Sequence, residues 1–201
     1  MKKAMLIFVV IAAAAVILTA VFFLKGPDLS KYDNLKEPRI TVINDQKMLV
    51  VETKGDPNET GKDAIGSLFK TFYKLKGSVK GMEFSAPRAR WPKTIGTPKE
   101  QWVGLFGLAV PDSLDKLPDG TPSNVKLNVW KYGETAEILH FGAYSSESPT
   151  IDKLYSFIKT SGYEIAGDHE EEYLKGPGMF FKGDPEKYVT ILRYQVKKKA
   201  R

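Results

Sequence analysis

The sequence predicts an α+β fold: two pseudo-symmetric β-α-β-β repeats sharing one antiparallel sheet, with two helices on one face and a concave pocket, behind one amino-terminal transmembrane helix. Three observations predict it. Val50-Val-Glu-Thr-Lys-Gly55 and Ile138-Leu-His-Phe-Gly142 both alternate into a glycine, and an amphipathic helix follows each within a few residues. The helix faces match as well, because Ile65, Leu68, Phe69 and Phe72 recur as Ile151, Leu154, Tyr155 and Ile158 at a constant offset of 86 residues. Finally, Ala4–Leu24 is a run of 21 residues without a charge, glycine or proline. At about 1.5 Å per residue such a helix spans roughly 30 Å, the thickness of a bilayer core.

Taken in order, the chain divides into an anchor over residues 1–25, a linker over 26–46 rich in Pro, Asp and Asn, and a globular domain over 47–201. The anchor is read as uncleaved, since a secretory leader has a shorter apolar core and a small-x-small site after it. Lys2 and Lys3 precede the span, so the charge bias places the amino terminus inside and the domain outside the cytoplasm, as a single-pass membrane protein. Within the domain, Met48–Thr53 alternates as a strand, Gly55-Asp-Pro-Asn58 turns the chain, and Thr60–Lys76 forms the first helix. Strands are expected at Met82–Ala86 and Trp102–Val110, with Pro87–Pro98 a loop between them. The second unit opens near Val125, and Ser148 is expected to cap its helix with Pro149 at the first position and Gly162 as the stop. Tyr163–Tyr173 and Lys187–Val196 supply the last strands, separated by a glycine-rich excursion at 175–184.

Composition narrows the function. The chain has no cysteine, which excludes disulfides, thiolate metal sites, cysteine nucleophiles and a lipidated amino-terminal cysteine. A net charge of +6 invites a nucleic-acid reading, but the lysines are scattered and the only dense run, Lys197–Arg201, reads as a solvated end. No nucleic-acid partner is expected. Two histidines, His140 and His169, make no metal-ligand motif, so neither a metal nor another cofactor is expected. There is no nucleophile elbow, phosphate loop, metalloprotease helix or dinucleotide fingerprint, and no residue is assigned as catalytic.

The order His140-Phe-Gly-Ala-Tyr144, helix, Ser161-Gly-Tyr163, then Glu171-Glu-Tyr-Leu-Lys-Gly-Pro177 and a closing Thr190–Val196 resembles the GyrI-like small-molecule-binding domain over roughly Lys47–Val196. That family also supplies the effector-binding half of some AraC-type and MerR-type regulators. Two positions depart from its pattern: Ile191 and Gln195 stand where the family carries an acidic residue and a proline. The resemblance implies a pocket on the concave face opposite the helices, with Glu171 at its centre. Strand alternation then puts Glu171 and Tyr173 on one face and Glu172 on the other. Trp102, Phe106 and Tyr144 are candidate wall residues, and Trp91 in its loop is a candidate lid. A carboxylate among aromatic rings favours a cationic or amphipathic small molecule. His140, between Leu139 and Phe141, reads as structural.

Residues 25–46 are too few for a DNA-binding domain, so the expected function is a membrane-anchored small-molecule-binding protein. Two alternatives stand beside it. One is a hydrolase of strained electrophiles in which Glu171, with Tyr173 or Trp102, places a water. The other is an interaction module that docks a membrane protein, the layout of a vertebrate ER-phagy receptor, although that receptor relies on a long tail and this chain ends at Arg201, after its last strand.

Overall fold

The computed structural model describes residues 27–93, 97–177 and 183–200. The chain divides into two compact units, Met1–Lys31 and Tyr32–Arg201, and the sheet and both helices lie in the second. The span expected over Ala4–Leu24 falls outside the described residues, among which no helix is long and apolar enough to cross a membrane.

The second unit is one antiparallel sheet of eight strands with two α-helices. In chain order the elements are β1 (Arg39–Ile43), β2 (Gln46–Lys54), α1 (Pro57–Lys76), β3 (Arg88–Lys93), β4 (Val103–Ala109), β5 (Val125–Trp130), β6 (Gly133–Phe141), α2 (Ser148–Thr160), β7 (Tyr163–Lys175) and β8 (Val189–Lys198). They pair in the order β1-β6-β8-β7-β3-β4-β2-β5, so β7 and β3 meet at the centre. Outward from that seam run β4, β2 and β5 on one side and β8, β6 and β1 on the other.

Residues opposite one another in an antiparallel ladder share a face of the sheet. One such row crosses seven strands: Ile138, Leu192, Glu171, Ala89, Phe106, Val51 and Val125. Both helices pack on this face. α1 sets Ala64, Leu68, Phe72 and Leu75 against Leu49, Val51, Phe106 and Val125, while α2 sets Leu154 and Ile158 against Ala136, Ile138, Leu192 and Tyr194. In each helix the second and fourth residues of the expected face, Leu68 and Phe72 or Leu154 and Ile158, are buried deepest, and the first and third, Ile65 and Phe69 or Ile151 and Tyr155, are partly covered.

Local chemistry sets the helix ends. α1 begins three residues before the expected Thr60, because the Asp56 side chain accepts from the Asn58 N–H and Pro57 occupies the first turn, where its missing donor costs nothing. α2 starts at Ser148 itself, so the cap position falls to Glu147 rather than to Ser148, and Glu147 makes no side-chain cap bond. Gly162, with φ near +79°, turns the chain into β7.

Two expected boundaries move. No strand forms over Met82–Ala86; β3 lies instead at Arg88–Lys93, inside the expected loop. Prolines are tolerated in it because Pro87 stands just before the strand and Pro92 sits where the β3–β4 register slips between Arg90 and Lys93, positions where no ladder donor is needed. Within the expected linker, Arg39–Ile43 is an edge strand paired with β6, so the sheet begins before Lys47. Its Val42 is exposed, which hid the alternation.

Candidate functional site

Strand β7 carries Glu170, Glu171 and Glu172 at the centre of the sheet, and alternation sends them to opposite faces. Glu170 and Glu172 point away from the helices. There Arg90 Nε donates to Glu170 at 2.7 Å, Arg193 lies 3.1 Å from Glu170 and 2.7 Å from Glu172, and Arg193 Nε reaches Glu137 at 2.6 Å. Arg88 pairs with Glu172, and the Tyr132 hydroxyl donates to Glu170 at 2.9 Å. Burial opposes the Arg193 charge, yet Glu172, Glu137 and Glu170 hold its pKa above the ordinary guanidinium value. Three arginines facing three glutamates make a closed network. The recess beside it, about 90 Å³, is lined by Arg90, Glu170, Arg193 and Gln195 and is too small for an organic ligand, since such pockets run from about 300 Å³ upward.

This face is the one expected to hold the pocket with Glu171 at its centre. Glu171 and its aromatic companions lie on the helix-bearing face instead, because Glu171 is in register with Ala89 and Leu192, both of which share that face with the helices. The departures at Ile191 and Gln195 fall on the other face, where Gln195 donates its amide to the Lys131 and Tyr132 carbonyls.

Glu171 is held by its strand neighbours. The Tyr173 hydroxyl donates to its Oε2 at 2.6 Å, and His169 Nε2 stands 3.1 Å from its Oε1. Burial, then the Glu171 charge, pushes the Tyr173 pKa well above its ordinary value, so this phenol stays a donor. From the start of α2, Glu147 comes to the same place. It is 7% exposed, and its Oε1 is buried without a hydrogen-bond partner. Burial and the nearby Glu171 raise its pKa to about 9. Among the described residues neither Glu147 nor Glu171 has a lysine or arginine partner. One ligand atom from each of Glu147, His169 and Glu171 lies within 4.8 Å of the others, close enough to surround a metal ion.

Aromatic rings wall these carboxylates. Tyr144 stands edge-on to Tyr173 at 5.3 Å and lies 5.2 Å from Tyr188. Burial, then Tyr188 and Glu171, raise the Tyr144 pKa too. His169 lies 4.9 Å from the Tyr194 ring, whose hydroxyl is 2.9 Å from that of Tyr155 on α2. Trp91 meets Trp102 at 6.0 Å and Phe106 at 5.6 Å, and Tyr173 packs on the cluster they belong to. Gly104 makes this possible, since a Cβ there would stand 2.9 Å from Trp91 and 3.1 Å from Phe106.

All six expected ligand residues, Glu171, Tyr173, Trp102, Phe106, Tyr144 and Trp91, therefore belong to one face or its rim. Trp91 differs in context: it is a buried residue of β3, in register with His169, and not a loop lid. Trp102 sits just before β4 and donates its indole N–H to the Thr97 carbonyl. His140 is buried and bonded to Thr150 and Ala143, a structural placement. Sequence reasoning missed Glu147 and the part taken by His169. The period of two could have found His169, two residues from Glu171, whereas a glutamate ahead of a helix looks like an ordinary first-turn residue and gave no signal.

Residues 36–196 match the GyrI-like small molecule binding domain family. Among solved structures the chain is similar to an uncharacterized conserved protein from Listeria innocua, with 24% identity and a TM-score of 0.69 over 84% of this chain and 98% of that one. A hydrolase from Listeria innocua, also 24% identical, gives a TM-score of 0.67 over 84% of this chain and 98% of that one. The EcmrR C-terminal domain, 15% identical, gives 0.57 over 81% and 98%. No curated protein matches the sequence.

Proposed function

Because the chain belongs to the GyrI-like small-molecule-binding family, we propose that it binds a cationic or amphipathic small molecule on the helix-bearing face, over Glu171 and Glu147. One observation carries this reading: two carboxylates stand among aromatic rings with no lysine or arginine partner among the described residues, while all the arginines nearby are engaged on the other face. An anion in such surroundings lacks hydration and compensation, so a ligand that brings positive charge and a flat apolar body supplies both, and the rings attract it on their faces. Tyr173, Tyr144, Trp91, Trp102 and Phe106 serve as wall residues. The same strand order on the two sides of the β3–β7 seam, with the matching helix faces, supports reading the unit as a duplication.

The anchoring part of the proposal rests on the uncharged run Ala4–Leu24 and on Lys2 and Lys3 ahead of it. It places a single-pass protein in the membrane with the binding unit outside the cytoplasm. Protease added to intact cells should cleave the binding unit; full protection would reverse the orientation. To test binding, the full chain in mild detergent is titrated with a lipophilic aromatic cation. Saturable binding that weakens about tenfold or more in Glu171→Gln is the expected result, the equivalent of about 1.4 kcal/mol.

Hydrolysis is a second reading, favoured by the pairing of a carboxyl whose pKa is raised, Glu147, with Glu171 in a phenol-lined site. Glu171 would take a proton from a water attacking a strained electrophile, and Glu147 would give one to the departing atom. Release of product from a three-membered-ring electrophile, abolished in Glu171→Gln, is the outcome this reading requires.

A further inference from the structure

We infer that Glu147, His169 and Glu171 form a binding site for a divalent transition-metal ion of the zinc, manganese or iron class. The donors come from two elements that the fold brings together, the start of α2 and the centre of β7. Their ligand atoms lie within 4.8 Å of one another. Metal–ligand bonds of about 2.0–2.2 Å need donors within roughly 4 Å of each other, so small rotations of the side chains close the set.

A second observation points to the same place. Glu147 is more than nine-tenths buried and its Oε1 has no partner, although it stands at the cap position of α2 where a carboxylate could bond free N–H groups. It forgoes that cap and faces Glu171. His169 is similarly uncommitted: Nε2 touches Glu171 alone, and Nδ1 is buried without a partner. Buried polar atoms without partners are uncommon in folded proteins and call for an occupant.

The donor set selects the ion. Two carboxylates and an imidazole suit zinc, manganese and ferrous iron; calcium takes six to eight oxygens, and magnesium keeps most of its waters. The Tyr173 hydroxyl at 2.6 Å from Glu171 Oε2 supplies the outer hydrogen bond that orients a ligating carboxylate. Three protein donors leave room for a water or a ligand atom, bounded by Tyr144 and Tyr173.

The site shares Glu147 and Glu171 with the proposed organic ligand but needs no such ligand to fill, so the two are tested apart. The full chain, stripped with chelator, is titrated with zinc by calorimetry and with cobalt by visible absorption. One equivalent of saturable binding is expected, with the intense bands of four- or five-coordinate cobalt. Glu147→Gln and His169→Gln, with folding checked by circular dichroism, should each weaken it by about tenfold or more. Absence of saturable binding, the pale spectrum of hydrated cobalt, or affinity unchanged in both variants would overturn the site. Titration with the lipophilic cation in excess chelator reads the organic site alone, so either claim can fail while the other stands.

Discussion

Three consecutive glutamates in β7 meet two different fates. Glu170 and Glu172 sit among Arg88, Arg90 and Arg193, while Glu171, one residue from each, sits between a phenol and an imidazole, facing another carboxylate. Both faces are well covered, so burial alone does not separate them. Compensation does. On the arginine face charge is balanced within the chain and the carboxylates hold the sheet together; on the helix face the balance is left to something that binds.

The largest test of that contrast is Arg193→Ala. It strands Glu137 in a buried setting, leaves Glu170 to Arg90 and Glu172 to Arg88, and should cost about 3–5 kcal/mol in urea unfolding. A loss below about 1 kcal/mol would mean that the network is solvated and the two faces are alike.

The contrast was half legible in the sequence. Alternation through Glu171-Glu-Tyr173 separates the faces, and the i, i+3, i+4, i+7 pattern gives both helices. Which face carries the site was not legible, because that depends on the strand order: only the pairing of β7 with β3 and β8 puts Ala89 and Leu192 beside Glu171. Strand β3 was missed for a related reason, since Arg88 and Arg90 look like loop residues until their partners on β7, Glu172 and Glu170, are placed across from them. Glu147 depends on a contact between α2 and β7, which no local pattern encodes.

Smaller effects sharpen the comparison. Gly104→Ala should push Trp91 and Phe106 from β4, costing about 1–3 kcal/mol and shifting tryptophan fluorescence, because its new methyl group would stand 2.9 Å from the Trp91 ring. An unchanged melting temperature would show that the ring yields freely. Tyr173→Phe removes the hydroxyl bond to Glu171 and should cost about 1 kcal/mol or less in urea unfolding. Least of all should Glu171→Gln change stability, staying within about 1 kcal/mol of the unmutated chain, since the amide keeps an acceptor for Tyr173 and removes a charge that has no lysine or arginine partner among the described residues. A loss comparable to that of Arg193→Ala would place Glu171 among the structural carboxylates.

The most direct measurement is the affinity of the full chain for a lipophilic aromatic cation, with chelator present, in the unmutated protein, Glu171→Gln and Glu172→Gln. Weaker binding by about tenfold or more in Glu171→Gln, with affinity retained in folded Glu172→Gln, is the predicted result. Equal affinity in the unmutated protein and Glu171→Gln would contradict the account.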